Sequence, residues 1–225
     1  MCGRYVLRDK PAIERLVATV CEPGTAEIPV RFNIAPAQML PVVAAIDSQA
    51  AALVPMRWGF VPSWEKSEKP RIAPINARSE AILTKFMFRQ AVQKRRALVP
   101  ADGFFEWQRA NLNPTAKVPH FIGLRDGQPF FFAGIYEQAT EIRPPTYAIL
   151  TTQPNSLVAT IHDRMPVILA PAAARRWLKD GDLTADELVH LCVPYPAKAM
   201  QAYPVSSLVN NPANDRQECV AAVRT

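Results

Sequence analysis

Apolar residues along this chain come in short runs broken by prolines and charged pairs, and only a few stretches carry helical spacing. Residues 11 to 21 (PAIERLVATVC) open with a proline and place Ile13, Leu16, Val17 and Val20 at helical intervals, which predicts a first helix on the surface. From Met39 to Phe60 the segments MLPVVAAI and ALVPMRWGF read as strands, and Asp47-Ser48-Gln49 between them predicts a hairpin. After a charged, proline-bounded loop from Trp64 to Arg71 comes INARSEAILTKFMFRQAVQKRR. In it Ala81, Ile82, Phe86 and Phe88 lead into a second helix that ends in basic residues, as suits a helix C-terminus. Four strand-like segments follow, RALVPADGFFEW, VPHFIGLRD, QPFFFAGIYE and TYAILTT, with Asp126-Gly127 as a hairpin signal between the second and third. Leu157 to Ile161 leads into HDRMPVILA. Pro171 to Lys179 predicts a short helix that turns Trp177 inward, and the tail from Val205 is polar and Asn-rich. Short strands, turns and a few flanking helices predict an α+β fold, a single domain over residues 1–225 built on a mostly antiparallel, barrel-like sheet.

Composition sharpens this picture. With 49% hydrophobic and 20% charged residues the chain suits a packed globular protein, and 22 prolines against 8 glycines favour short strands and ordered turns over long helices. No run approaches the roughly 18 to 20 apolar residues that cross a bilayer, and MCGRYVLRDK lacks the apolar stretch of a signal peptide, so a cytoplasmic protein with no membrane partner is expected. Cys2, Cys21, Cys192 and Cys219 are scattered without metal-site spacing, so neither a metal nor another cofactor is expected. The net charge of +6 permits a polyanionic partner without requiring one, and Lys94-Arg95-Arg96 is the only tight basic cluster. Nothing in the pattern argues for assembly, and a monomer is expected.

Candidate chemistry starts at Cys2. Removal of the initiator methionine would leave an α-amine and a thiol on adjacent carbons, a 1,2-aminothiol that reacts readily with aldehydes. The reference values, about 7.7–8.0 for the amine and about 8.5 for the thiol, leave part of each in its nucleophilic form near neutral pH. Three polar residues sit in apolar or glycine-marked segments: Asn76 in PINARSE, Glu106 in ADGFFEW and His162 in ATIHDRMP. Each has a plainer reading. Glu106 can alternate outward on a strand, His162 can be a satisfied core histidine, and Asn76 can open a helix through an Asx turn. Together with Cys2 they supply a nucleophile, a carboxylate, an imidazole and an amide, enough for acid–base chemistry at a carbonyl.

MCGRY at the start, RFNIAP at 31–36, RWGFVPSW at 57–64, INARSE at 75–80, PADGFFEW at 100–107, IHDRMPVIL at 161–169 and PVSSLVNNPAND in the tail follow one family pattern in order. By these motifs the chain resembles the SOS-response-associated peptidase family, also described as abasic-site processing proteins, along essentially its whole length. The resemblance implies that mature Cys2 attacks the ring-opened deoxyribose of an abasic site in single-stranded DNA and closes a thiazolidine crosslink. It also implies that Asn76 holds the sugar or the amine, that Glu106 moves protons, and that His162 sits near the phosphate 3′ to the lesion. Strand cleavage by β-elimination would compete at the open imine, and self-removal of residues before Cys2 would account for the word peptidase, although only Met1 precedes Cys2 here and ordinary methionine aminopeptidase could remove it. Arg4 and Arg78 are the implied phosphate contacts, Trp64 and Pro36 the implied stacking platforms, and Trp107 and Thr151 further DNA contacts, while Trp58 reads as core. Two alternatives stay open on the residues alone. One is an N-terminal-nucleophile amidohydrolase, with the Cys2 amine as base. The other is a single-strand-binding module without chemistry.

Overall fold

A computed structural model of the protein describes residues 2–22, 26–45, 50–68, 70–110, 113–179 and 181–223. In chain order the strands and helices are β1 (Tyr5–Leu7), α1 (Lys10–Ala18), β2 (Arg31–Ile34), β3 (Met39–Ala44), β4 (Ala52–Trp58), β5 (Asn76–Arg78), α2 (Phe86–Lys94) and β6 (Arg96–Ala101). They continue with β7 (Gly103–Ala110), β8 (Asn113–Leu124), β9 (Phe130–Glu137), β10 (Thr146–Thr152), β11 (Met165–Pro166), β12 (Ile168–Leu169), α3 (Pro171–Leu178), α4 (Ala185–Leu191) and β13 (Met200–Pro204).

Five of these strands close on themselves. β4 pairs β3, β3 pairs β6, β6 pairs β9 and β9 pairs β10, all antiparallel, and β10 returns to lie parallel to β4 at Thr146↔Arg57. Closure removes the exposed strand edges an open sheet would present. The short β5 adds to β10 in parallel, with Ile149 opposite Asn76. The other sheet is open and runs β13-β8-β7-β1-β2. It is covered on both faces: Tyr5, Leu7 and Phe104 join the main core, whereas the alternate residues Val6 and Phe105 pack with Val205, Val209 and Cys219 of the C-terminal segment. Period-two alternation thus explains why β1 is buried at every position.

The expected α+β, barrel-like architecture is present. Helix α1 starts where its proline and the Asp9 cap predict, with Asp9 Oδ1 accepting the Ala12 N–H at 3.0 Å. Strands β3 and β4 pair antiparallel in register from Met39↔Arg57 to Ala44↔Ala52; their expected turn residues, Asp47 to Gln49, lie outside the described residues. Helix α3 carries Trp177 fully inward, where its Nε1 donates to the Ala97 and Gly134 carbonyls at 3.0 Å each. Three expectations are corrected. RALVPADGFFEW divides at Asp102 into β6 of the barrel and β7 of the open sheet. Asp126-Gly127 does turn the chain, with Gly127 at φ +72°, but β8 and β9 belong to different sheets, so the reversal is a crossover and not a hairpin. Asn76 starts a strand instead of an Asx turn.

The basic cluster proves structural. Lys94 pairs with Asp182 at 2.7 Å and Arg95 with Glu137 at 3.1 Å. Buried Arg96 donates to the Val92, Gln93, Trp177 and Lys179 carbonyls, tying together the C-terminal ends of α2 and α3.

Gly103 opens β7 where no side chain fits: a Cβ there would lie 2.3 Å from Phe121 Cζ and 2.8 Å from the Ile122 carbonyl oxygen. Gly103→Ala is therefore expected to destabilise the fold by about 1–3 kcal/mol, the usual cost of overpacking. The check is the urea midpoint of the two proteins, and an unchanged midpoint would show that the β7–β8 contact is softer than this packing implies.

Candidate functional site

The two sheets meet at the N-terminal segment. Cys2 enters β1 completely buried, and its carbonyl accepts a hydrogen bond from Asn76 Nδ2 at 2.9 Å. Asn76 comes from the barrel side, on β5. Its Oδ1 is buried and has no hydrogen-bond partner among the described residues, which leaves one acceptor unused. The Cys2 Sγ rests 3.8 Å from the Arg4 carbonyl oxygen.

Glu106 reaches the same place from β7 and is only 2% exposed. Its alternation on the strand points it inward, opposite the outward reading that the sequence left open. Burial raises its pKa above the ordinary carboxylate range, with the neighbouring His162 acting the other way. His162 Nε2 lies 3.8 Å from Glu106 Oε2. His162 Nδ1 faces two groups, the Arg164 backbone N–H at 3.0 Å and Asp163 Oδ1 at 2.9 Å. A neutral ring accepts from Arg164 at Nδ1 and carries its proton on Nε2 toward Glu106; a protonated ring turns an Nδ1–H toward Asp163.

The thiol departs from expectation. Burial first, and the Glu106 carboxylate second, push the Cys2 pKa far above that of a free cysteine, so the sulfur is held as a thiol at neutral pH and not as a partial thiolate. Next to it the Tyr5 and Tyr147 hydroxyls share a buried hydrogen bond of 2.9 Å, and both are raised by burial.

The remaining residues divide into locked and free. Arg4 lies 5.9 Å over the Trp107 ring and donates to Asn33 Oδ1 at 2.8 Å and to the Val209 and Asn210 carbonyls at 2.6 and 3.2 Å. Trp107 is half-buried and donates to Asn210 Oδ1 at 2.7 Å. Thr151 is buried, with its carbonyl accepting from Arg164 Nη2 at 2.7 Å. Arg78 is exposed beside the site on β5, and Pro36 is exposed in the β2–β3 turn next to Ala37, whose φ of +68° marks a tight reversal. Trp64 is 49% exposed and packs on the exposed Phe86 at 4.9 Å, while Trp58 is core.

Sequence reasoning missed the ion pair that braces these elements. Arg164 grips Glu80 at 2.6 and 2.8 Å, linking the segment after β5 to the His162 loop, and it also fixes His162 through its backbone N–H. The signal was available in HDR, two residues past the histidine. The Asn-rich tail was also underread, since Asn33 Nδ2 is gripped by the Val209, Asn211 and Asn214 carbonyls and Asp215 caps the Phe32 and Asn33 N–H groups.

Because Glu106 has a raised folded pKa, the fold binds its proton more tightly than the unfolded chain. Stability tied to this group is therefore fully present below about pH 4, near the unfolded value, and is lost as pH rises through the folded pKa. Glu106→Gln is expected to raise the urea midpoint at pH 8 and to leave it nearly unchanged at pH 4. Equal differences at the two pH values would mean that Glu106 is not strained by burial.

Comparison with known proteins shows the family and the fold. The family model described as SOS response associated peptidase (SRAP) matches residues 1–212. The abasic site processing protein YoqW of Bacillus subtilis is 40% identical over 225 residues, covering 98% of this chain and 99% of the relative. The abasic site processing protein YedK of Escherichia coli is 33% identical over 236 residues, covering 99% of this chain and 100% of the relative. A solved structure of a protein from Bacteroides thetaiotaomicron has a TM-score of 0.83 at 25% identity, covering 99% of this chain and 100% of that one. With a family match across nearly its entire length and relatives of the same extent, this chain belongs to the SRAP family.

Proposed function

We propose that this protein processes abasic sites in single-stranded DNA by forming a covalent thiazolidine between the lesion and its mature N-terminal Cys2. The names of its relatives support abasic sites as the target. The observation that carries the chemistry is the meeting of buried Cys2 and Glu106 with the half-buried Asn76 and His162, the Asn76 amide on the Cys2 carbonyl and His162 facing Glu106. The whole chain, 1–225, acts as one domain and as a monomer in the cytoplasm, reaching the nucleoid through its DNA, without a metal or other cofactor.

The order of steps follows from the protonation states. Loss of Met1 frees the Cys2 amine, and because the thiol is held protonated, the amine attacks first. Its nitrogen adds to the C1 aldehyde of the open sugar, and the carbinolamine loses water to give an imine. Glu106, whose pKa burial raises and whose carboxyl is thereby the better acid–base partner, donates a proton to the departing hydroxyl. The imine so formed is protonated on nitrogen; the carboxylate takes the thiol proton and is restored as the acid, the sulfur bonds to the imine carbon, and the ring nitrogen keeps the proton it already carries. Aldehyde and aminothiol thus give thiazolidine and one water. Asn76 Oδ1 accepts from the amine or a sugar hydroxyl. His162 serves the 3′ phosphate, and where the imine stays open it assists β-elimination, a lyase side reaction. Self-removal of Met1 through the same thiol is the peptidase activity in this reading. Arg4, Arg78 and Thr151 line the phosphate path, with Pro36, Trp64 and Trp107 against the bases.

The test is incubation of the mature protein with an abasic single-stranded oligonucleotide, followed by a denaturing gel. A heat-stable adduct is expected, and mass spectrometry of the active protein should show Met1 absent. Cys2→Ser keeps the amine but loses the sulfur, so it should give only a transient imine that borohydride traps and that decays with strand cleavage. A heat-stable adduct from Cys2→Ser would remove sulfur from the linkage and end the thiazolidine reading.

The exposed phosphate contact gives a second check. Arg78→Gln is expected to weaken binding to undamaged single strands and to lower the salt slope by roughly 0.7, the value for one phosphate contact on a single strand. An unchanged slope in fluorescence anisotropy would exclude Arg78 from the phosphate path.

A further inference from the structure

The hairpin that brings Glu106 to the site continues past it. β1 pairs with β7 only at Gly103 and Phe104, and the last bond on that side runs from the Phe105 N–H to the Arg4 carbonyl at 3.0 Å. Beyond it, the β1-side edge of β7 has no strand beside it among the described residues. That edge faces the segment ending in His162, and Gln108 Nε2 holds the two together through the Thr160 carbonyl at 2.7 Å. Between them runs a groove of about 560 Å³, with Trp107, Arg109 and Lys117 on one side and Thr160, His162 and Asp163 on the other.

The register of the ladder makes this groove unusual. Arg109 and Lys117 are direct cross-strand neighbours, both exposed and neither in an ion pair among the described residues. Like charges directly opposite on an antiparallel pair oppose folding, and their Cβ atoms lie about 4.5–5.5 Å apart, close enough for one tetrahedral anion to satisfy both heads. The only carboxylate in the lining, Asp163, sits at the other end, beside His162. The groove therefore grades from the catalytic imidazole to an uncompensated basic pair, with an indole along its wall.

We infer that this groove is a phosphate-binding subsite for the single strand leaving the lesion past His162, with Arg109 and Lys117 clamping the backbone. It rests on the reading that the site takes single-stranded DNA, and it extends the path beyond the contacts assigned above. The cross-strand repulsion is the folding cost of a contact made only when the strand is bound.

The test uses the mature full-length protein and a fluorescein-labelled, undamaged 15-mer of thymidine, with affinity measured against salt. The Arg109→Gln/Lys117→Gln double variant is expected to bind more weakly and to lower the salt slope by roughly 1.4, at about 0.7 per single-strand phosphate contact. Lys117→Glu is expected to weaken binding as well while raising the thermal midpoint by roughly 1–3 °C, because it converts a like pair into an opposite one. An unchanged slope in the double variant overturns the subsite, as does a Lys117→Glu variant that gains stability with its DNA affinity intact. Abasic-oligonucleotide adduct formation by the unsubstituted protein is the separate arm. Its absence would overturn the chemistry at Cys2, whereas the salt slope reads the groove whatever happens at Cys2.

Discussion

The bond from the Asn76 amide to the Cys2 carbonyl joins the two halves of the molecule at the residue proposed to carry the chemistry. Asn76 belongs to β5, which hangs on the barrel through β10, while Cys2 leads directly into β1 of the open sheet. A chain terminus is ordinarily a frayed and solvated place. Here the second residue is fully buried, so its polar backbone needs a partner from the protein, and the short β5 supplies one. The same geometry that satisfies the carbonyl fixes the position from which a freed Cys2 amine would act. Bracing of β5 then becomes part of the site, and the Glu80–Arg164 pair provides it by tying the turn after β5 to the His162 loop.

Burial has the same consequence for the two acidic groups that share this point. It raises both the Cys2 thiol and the Glu106 carboxyl, and each charged form would further disfavour the other. The resting arrangement therefore avoids an anion pair in a dry site. A neutral thiol beside a carboxyl whose proton affinity is raised by burial is poorly nucleophilic by itself, yet suits a reaction in which an amine moves first and protons are passed in sequence. An aldehyde is the kind of electrophile that suits this order, because imine formation needs an acid before ring closure needs a base.

Much of the fold was legible where local rules decide. Helix α1 has a proline and a capping aspartate at its start, and Trp177 sits with Ala174 on the face of α3 that its spacing turns inward. Partner choice was not legible. Asp126 and Gly127 report a reversal, but β9 is buried along its whole length, as a barrel wall covered from outside must be, and this places it in a different sheet from β8. Three residues of β5 are too few to show a period, so Asn76 looked equally like a turn. For the site, Cys2, Asn76, Glu106 and His162 were named from chemistry and from a resemblance. What the sequence could not show was burial, which turned the thiol from a partly ionised nucleophile into a protonated one and Glu106 from an outward strand position into a buried carboxyl with a raised pKa.

The distribution of positive charge bears on how such a protein would hold DNA. The tightest basic cluster, Lys94 to Arg96, is committed to helix ends and local carboxylates, and Arg4 is committed to carbonyls of the C-terminal segment. The cations left exposed around the site are dispersed: Arg78 on β5, and Arg109 with Lys117 on the β7–β8 ladder. A few separated phosphate contacts give weak binding that salt readily competes away. In an enzyme that must release and rebind, this would be a handicap. Under the proposed function, in which residence on the lesion comes from a covalent ring, weak reversible contacts are an advantage, because they would let the protein sample undamaged strand and leave it, and only an aldehyde at Cys2 would make it stay.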